Sequence, residues 1–575
     1  MNTNTKVIEQ TQKEHLRLWP GIIIVILQWV IRFVIPAIVP AATAIGIFGG
    51  LIGGLALVIW WLLYSRAPRV DRWMAVAVMI IALVITKQMV HKSIETAMMG
   101  MMFMFYSIPV LSLLFVVWAA ARGLLPEGLR RITMVGTLLL ASGIWLILRT
   151  EGMDGQAHQN FALRWAKTAE QRLLEKESDV IKPTTVDLAT LNTQAEWLGF
   201  RGHNRDGIIH GIMIKTDWKK TPPVQLWRRT IGPGCSSFAI HGTLVYTQEQ
   251  RGEYEMVTCY NLTNGELVWK HGDKTRFWDS HTGAGPRSTP TLSNNAVYSL
   301  GATGILNVLN ERDGSVLWSR NVALDCDVKI PGWGYTSSPL VVDSVVVVAL
   351  AGKLLAYDRL TGKQRWTGVD GGESYSSPQL FTLDGTREVI FMNKAGVTSY
   401  SPSDGKVLWT NQLTGVRIVQ PAQLTENEIL IDGGDLKGMC RLAVKKGSDG
   451  MSIEKRWTSV QLKPYFNDYV VHKGHVFSFD GPFLTCSDIE NGIQKWKGGR
   501  YGGQLILLSD QDLLLVLSEK GELALVDANP EQFKELARFP AIKGRTWNHP
   551  AMAGDVLVVR NSEEMSAFSL PLASN

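Results

Sequence analysis

One tryptophan spacing constrains this chain more than any other feature. Trp227, Trp269, Trp318, Trp366, Trp409, Trp457 and Trp496 follow one another at intervals of 42, 49, 48, 43, 48 and 39 residues. Most of them close the same short phrase. It reads YNLTNGELVW at Tyr260–Trp269, LNERDGSVLW at Leu309–Trp318 and YDRLTGKQRW at Tyr357–Trp366. It returns as YSPSDGKVLW at Tyr400–Trp409 and SDIENGIQKW at Ser487–Trp496. Trp457 ends a longer, degenerate version, and Trp227 opens the series. Phe539 lies 43 residues beyond Trp496, after Val526-Asp-Ala-Asn, and reads as an eroded eighth copy. Gly265, Gly314, Gly362, Gly405 and Gly492 each follow an Asn, Asp or Thr, which supplies the positive φ of a tight hairpin turn. The tryptophan on the next strand offers a flat face of about 150–250 Å² to wedge against a neighbour. A repeat of about 40–45 residues made of short strands is the signature of a four-stranded β-propeller blade.

Strand counting predicts how the ring closes. Seven complete strand sets lie between Cys235 and Phe539. The chain then ends on three strands, Trp547–Ala551, Val556–Arg560 and Ser566–Leu570. The missing outer strand is Val224–Thr230, which carries Trp227. Joining the first strand to the last blade removes the open edges, so eight blades are expected over residues 197–575. Seven blades with a separate tail are the alternative.

The other end of the chain is apolar. Five runs precede residue 150, at about 18–39, 41–63, 73–90, 98–119 and 132–148, each near the ~20 residues that cross a bilayer. Five runs in succession describe an anchor of about five transmembrane helices over residues 1–150, not a cleaved leader. The first run is the least regular. It contains Arg32, which sits toward the far end where it can snorkel. If that run lies on the surface, only four helices cross. Arg17, Arg66, Arg69, Arg72, Arg122, Arg130 and Arg131 fall on one side of a five-pass arrangement, with Lys6 and Lys13. The positive-inside rule makes that side cytoplasmic and places the propeller on the periplasmic side of a bacterial inner membrane. Four passes would leave it in the cytoplasm. His91, Lys92 and Glu95 read either as an ordinary loop or as a polar site near the interface. Residues 151–196 form a linker. In it, Phe161, Trp165, Ala169 and Leu173 recur every four residues, the pattern of an amphipathic helix over Gln156–Ser178; Lys182–Leu191 reads as irregular.

Composition excludes several classes. A formal net charge of +6 on 575 residues, without a long basic run, does not describe a nucleic-acid binder. With 46% hydrophobic residues the chain is not disordered. GxxxxGK[ST], HExxH and GxSxG motifs are absent from the sequence.

The repeat phrase, together with Trp197–Gly207 (WLGFRGHNRDG), resembles the quinoprotein and BamB-like propeller family over about residues 197–570. The order of helices then propeller is similar to membrane-bound quinoprotein glucose dehydrogenase. The family implies an eight-bladed fold with first strands lining a central channel. Its dehydrogenase branch implies pyrroloquinoline quinone (PQQ) with calcium, and electrons passed to ubiquinone. Two departures weigh against that branch. Cys235, Cys259, Cys326, Cys440 and Cys486 are isolated, whereas the alcohol-oxidising enzymes carry an adjacent pair. No calcium triad can be assigned.

Equivalent positions at the start of each first strand should form a ring at the channel mouth. They are Arg287, Trp333, Tyr335, Tyr375, Arg417, Asn467, Asp468, Tyr501, Trp547 and His549. Arginine with aromatic rings suits a planar anion, and Asp468 or His549 is the candidate base. The plainer reading makes the Ser-Ser-Pro segments strand-opening turns, His549 a strand cap and Asp468 a solvated side chain. His203 and Arg205 are expected to anchor the strap Arg201–Asp206. The expected function is a membrane-anchored periplasmic module that binds a protein or a small ligand. A PQQ-dependent dehydrogenase acting on an alcohol or sugar is the alternative.

Overall fold

The computed structural model describes residues 16–39, 42–155, 159–176, 196–326, 328–434, 437–448 and 450–573. It divides into two compact units, residues 1–166 and 167–575.

Among the described residues, four helices of the first unit are long and apolar enough to cross a membrane: α1 (Leu18–Ile38), α2 (Thr43–Tyr64), α4 (Met102–Leu124) and α5 (Glu127–Ile147). About five were expected. The irregular first run is among the four. The run that drops out is the third, α3 (Arg69–Met89), which is 21 residues long but holds Arg69, Asp71 and Arg72 in its first turn and Lys87 in its last. The arginine-bearing ends lie together. Arg17 N–H donates to Ser65 O at 3.2 Å. Asp71 takes Arg131 at 2.8 Å and Arg122 at 3.4 Å. The start of α1, the end of α2, the start of α3, the end of α4 and the start of α5 therefore share one end of the bundle.

The expected amphipathic helix is divided. Gln159–Leu163 pairs antiparallel with Leu148–Met153 as a hairpin, and only α6 (Ala169–Lys176) is helical. Phe161 meets the rings of Tyr106 and Trp145 at 5.5 and 5.7 Å. This aromatic packing overrides the four-residue periodicity. In the second unit, α6 lies on the propeller: Glu170 accepts both arms of Arg276 at 2.7 and 2.8 Å and Gly252 N–H at 2.9 Å. Lys182–Leu191 lies outside the described residues.

Eight blades of four strands make up the ring, and two of their sheets, those of blades 1 and 7, gain a fifth strand from Glu196–Trp197 and Ile208–Ile209. Blades 1 to 7 span Ala239–Asp273, Thr291–Asn321, Leu340–Thr367, Gln379–Gln412, Ala422–Ser459, Val470–Arg500 and Gln504–Pro540. Blade 8 takes Ala551–Ala553, Val556–Arg560 and Glu564–Ser569, with Val224–Thr230 as its outer strand. The ring closes as expected, by pairing the first propeller strand with the last.

The repeat phrase holds neighbouring blades together. Trp227 Nε1–H donates to Leu262 O at 2.7 Å, in the turn of blade 1. Trp269 reaches Glu311 O in blade 2 at 3.1 Å, and Trp318 reaches Arg359 O in blade 3 at 2.9 Å. Trp366 reaches Pro402 O in blade 4, Trp457 Ile489 O in blade 6 and Trp496 Asn529 O in blade 7. Beneath the Trp227, Trp269, Trp318, Trp366 and Trp457 rings lie the phrase glycines of the next blade. A Cβ on Gly265 or Gly314 would stand 2.6 or 2.4 Å from the indole, and both have φ of 71°. These positions need glycine for close approach as well as for backbone sign. Trp409 departs from the pattern. It donates to Glu388 of its own blade at 2.6 Å, because blade 5 replaces the glycine turn with a long hairpin, Met439–Gly447 with Gly450–Ser459.

Candidate functional site

The segments that open the first strands form a hydrogen-bonded belt around the channel. Ser237 N–H donates to Thr289 Oγ1, Thr289 N–H to Ser338 Oγ and Ser338 N–H to Ser377 Oγ, each at 3.0 Å. Ser377 N–H donates to Gln420 Oε1 and Gln420 N–H to Asp468 Oδ1, each at 2.8 Å. Ser237 Oγ–H closes on His549 O at 2.5 Å. Every blade in this run offers a short polar side chain to the backbone of its predecessor, which satisfies buried N–H groups.

Asp468 and His549 are members of this belt. Asp468 is 5% exposed and His549 4%. The Asp468 carboxylate also faces Arg201 at 3.8 Å. Burial pushes its pKa up, and Arg201 with the Gln420 N–H only partly offsets that. His549 stacks on Trp197, 6.3 Å between centroids, and its Nδ1 lies 2.7 Å from Pro550 O. Burial, then the Arg201 charge, lowers its pKa to about 3. Asp468 is not the solvated group of the plainer reading, and His549 keeps a contact to Pro550 O at the strand opening, as a cap would. Both are sealed.

The seal is the strap. Trp197 pairs with Ile240 of blade 1, and Ile208–Ile209 pairs in parallel with Leu507–Leu508 of blade 7. Between them Arg201 and Arg205 are buried, each with positive φ. Arg201 Nη2 donates to Tyr469 O and Asp206 O; Arg205 donates to Pro339 O at 2.8 Å and Ser338 O at 3.1 Å. Arg205 is therefore an anchor, and His203 is exposed on the strap's surface. Arg201 is the stronger anchor that spacing alone did not single out.

The remaining ring residues separate into three groups. Arg287, Trp333, Tyr375 and Arg417 are contiguous. Arg287 Nε–H donates to Trp333 O at 3.3 Å, the Trp333 and Tyr375 rings lie 4.6 Å apart, and Tyr375 N–H donates to Arg417 O at 2.7 Å. Trp547 belongs to a second group: its indole donates to Glu519 at 2.6 Å, Phe466 lies 5.4 Å away and Arg545 covers its face at 4.4 Å. Tyr335, Tyr501 and Asn467 join neither. Tyr335 is packed between blades 2 and 3 with its hydroxyl on Val328 O. Tyr501 is turned outward onto Glu535 and Arg538, and Asn467 holds Gly503 O. Sequence position placed these three at the mouth; the packing of Tyr335 and Tyr501 directs their rings elsewhere, while Asn467 binds the entry of blade 7.

Mouth charges are paired internally. Arg287 Nη2 meets Asp279 Oδ2 at 2.5 Å and Gly283 O at 2.7 Å. Burial alone would raise Asp279, but His281 and Arg287 outweigh it and hold the carboxyl well below the usual range. Tyr375 donates to Glu373 at 2.6 Å. Asp279, Glu373 and Glu519 lie on connecting segments outside the repeat phrase, so no spacing marked them. Calcium needs six to eight oxygen ligands. Among the described residues no group of three or more His, Cys, Asp or Glu side chains could hold a metal, and Asp279 is already engaged. The five cysteines are free, with Cys235 Sγ 3.7 Å from Arg287 Nη1.

The buried imidazole makes acid stability testable. His549 stays neutral when folded and takes a proton near pH 6.5 when unfolded. Its contribution is complete above about pH 6.5 and is lost as pH falls toward 3, by about 1.4 kcal/mol per pH unit. His549→Ser, which installs the belt residue of other blades, is expected to flatten the decline between pH 6.5 and 4 in denaturant titrations. An unchanged slope would contradict this placement.

Residues 253–428 match the family model described as outer membrane protein assembly factor BamB. The chain is 24% identical to BamB of Shewanella oneidensis over 343 residues, 54% of this chain and 80% of that one. It is 27% identical to BamB of Yersinia pestis over 320 residues, 53% and 70% of the two chains. The crystal structure of BamB from Moraxella catarrhalis aligns with a TM-score of 0.44 at 14% identity, over 61% of this chain and 99% of that one. A quinohemoprotein alcohol dehydrogenase from Comamonas testosteroni aligns at 0.48 and 12%, over 68% and 83%. The propeller is thus an eight-bladed ring of PQQ-like repeats, similar in sequence to outer membrane protein assembly factor BamB and joined to an apolar helical unit.

Proposed function

We propose that this protein is a membrane-anchored propeller that binds a protein partner through its propeller face, and that it is not a dehydrogenase. The observation that carries this reading is the sealing of Asp468 and His549 inside the belt and under the strap. A general base must reach its substrate's proton directly or through one water. The mouth groups that do lie together, Arg287, Trp333 and Tyr375, offer paired charges and aromatic faces suited to contact rather than proton transfer. The similarity to BamB, an assembly factor by name, supports a protein as the partner.

We infer the propeller's side of the membrane from the helix ends and the positive-inside rule. α2 finishes and α4 finishes at the arginine-bearing end, so the segment between them must cross away from it. α3 begins at that end and, at 21 residues, has the length to cross. Its polar ends suit the two interfaces. Five passes, with the arginines cytoplasmic, leave the propeller periplasmic at a bacterial inner membrane.

The dehydrogenase alternative is tested by titrating PQQ with calcium into the detergent-solubilised full chain and following tryptophan fluorescence. The 20 tryptophans of the chain make quenching sensitive. No saturable quenching is expected. One-to-one saturation, with alcohol- or sugar-dependent dye reduction, would overturn the binding-module reading.

A further inference from the structure

Among the described residues of the helical unit, one buried charge, Arg32, has no acidic partner. Arg32 lies inside α1, is 6% exposed and sits in a π turn, Val30–Val34. Single π turns within α-helices occur frequently at functional sites. An arginine at membrane depth costs about 2.5–3.5 kcal/mol on insertion scales and ordinarily marks a partner. The guanidinium is shaped into place from three directions. It lies over Tyr106 at 4.6 Å and Phe33 at 5.0 Å. Its Nε–H reaches Phe105 O at 3.5 Å; that carbonyl is freed because Pro109, four residues on in α4, has no N–H to give it. Gly50 of α2 lets the stem pack closely, since a Cβ there would stand 3.2 Å from Arg32 Cδ.

Yet the head is unsatisfied. Among the described residues, Arg32 Nη2 is buried with no hydrogen-bond partner, as is Gln28 Oε1 one turn earlier on the same face. Among the described residues no acid pairs with Arg32: Asp71 meets Arg122 and Arg131, Glu127 meets Arg130, Glu151 meets Arg149, and Glu95 is exposed on the segment Lys92–Thr96. A buried cation without a carboxylate calls for an anion from outside the fold. Arg32 lies six residues before the end of α1 at Ile38, about 9 Å along the helix. At that depth local thinning of the bilayer can bring a lipid phosphate to the held guanidinium. Guanidinium forks match phosphate oxygens.

We propose that Arg32, with Gln28 and the Tyr106 face, forms a binding site for the phosphate of an anionic phospholipid at the Ile38 end of the bundle. The site is distinct from the arginine cluster around Asp71 at the opposite end. The test is native mass spectrometry of the full chain in detergent with added phosphatidylglycerol or phosphatidylcholine. One phosphatidylglycerol is expected to survive collisional activation that strips phosphatidylcholine. Arg32→Gln is expected to weaken its retention about fivefold, the effect of roughly one surface cation–lipid contact. Arg32→Lys should keep most of it, and Arg131→Gln, in the opposite cluster, all of it. Tyr106→Leu, which keeps the charge but removes its aromatic face, should weaken retention relative to wild type by less than fivefold, a comparison that stands if Arg32→Gln fails to fold. Equal retention by wild type and Arg32→Gln, or no preference for phosphatidylglycerol in the wild type, would overturn the proposal. Retention of soluble glycerol phosphate in place of the lipid would overturn the lipid assignment.

Discussion

Trp227→Ala is expected to lower the unfolding free energy of the propeller by about 3–5 kcal/mol, the range for truncating a large buried aromatic side chain. The variant loses a buried indole, its hydrogen bond to Leu262 O at 2.7 Å, and its cover over Gly265. The effect falls where the ring is most vulnerable. Val224–Thr230 is the one outer strand that reaches its blade from the far end of the propeller sequence, through Thr230↔Glu564 to Val224↔Ser569. Hydrogen exchange should therefore rise first in blade 8 and blade 1. Gly265→Ala tests the same contact from the other side. Its φ is 71° and the new Cβ would meet the Trp227 ring at 2.6 Å. Gly554→Ala, with φ of 58° but open space around it, should show only the backbone cost of about 1–2 kcal/mol. Equal losses at Gly265 and Gly554 in denaturant titrations would sink the interlocking account.

Arg201→Met is expected to cost about 3–5 kcal/mol, because it leaves the Asp468 carboxylate buried without its cation. The loss should deepen as pH rises. Burial already raises the Asp468 pKa; without Arg201 the carboxyl holds its proton further, and ionising it on the alkaline side costs folded-state stability. Adding Asp468→Asn should recover part of the loss, since an amide oxygen can still accept the Gln420 N–H and carries no charge. A double variant no more stable than Arg201→Met would show that Arg201 acts through its carbonyl bonds to Tyr469 and Asp206 alone. These measurements also bear on function. Under the binding-module reading, Asp468→Asn changes stability and leaves partner binding intact.

Most of the ring was legible in the residues because its signal is local and repeated. An Asx–Gly turn followed at fixed distance by tryptophan specifies a hairpin and a wedge in every blade. The count of three final strands against an orphan strand at Val224–Thr230 then favoured closing the last blade with the first strand over seven blades with a separate tail. The helical unit was legible in the same way, through runs near bilayer length. Its third run was harder to weigh, because α3 mixes an apolar middle with charged ends.

What the residues could not specify is direction and pairing. Ring members equivalent in sequence diverge in space: Trp333 and Tyr375 stack on one another, Tyr335 enters the packing between blades, and Tyr501 turns outward to Glu535. Each first strand opens through a turn of its own length, and a shift of one residue sends a side chain to the opposite face. Asp468 and His549 looked like chemistry because their residue types usually do chemistry. Only the belt revealed them as substitutes for serine, each held by a neighbour some forty residues or more away in sequence. The sequence by itself determined a ring of eight wedged blades behind an apolar helical unit, since those depend on local periodicity. Only long-range packing seats Arg201 on Tyr469 O beside Asp468 and Arg205 on Pro339 O and Ser338 O, because pairing of buried charges and carbonyls far apart in sequence is encoded in no local pattern.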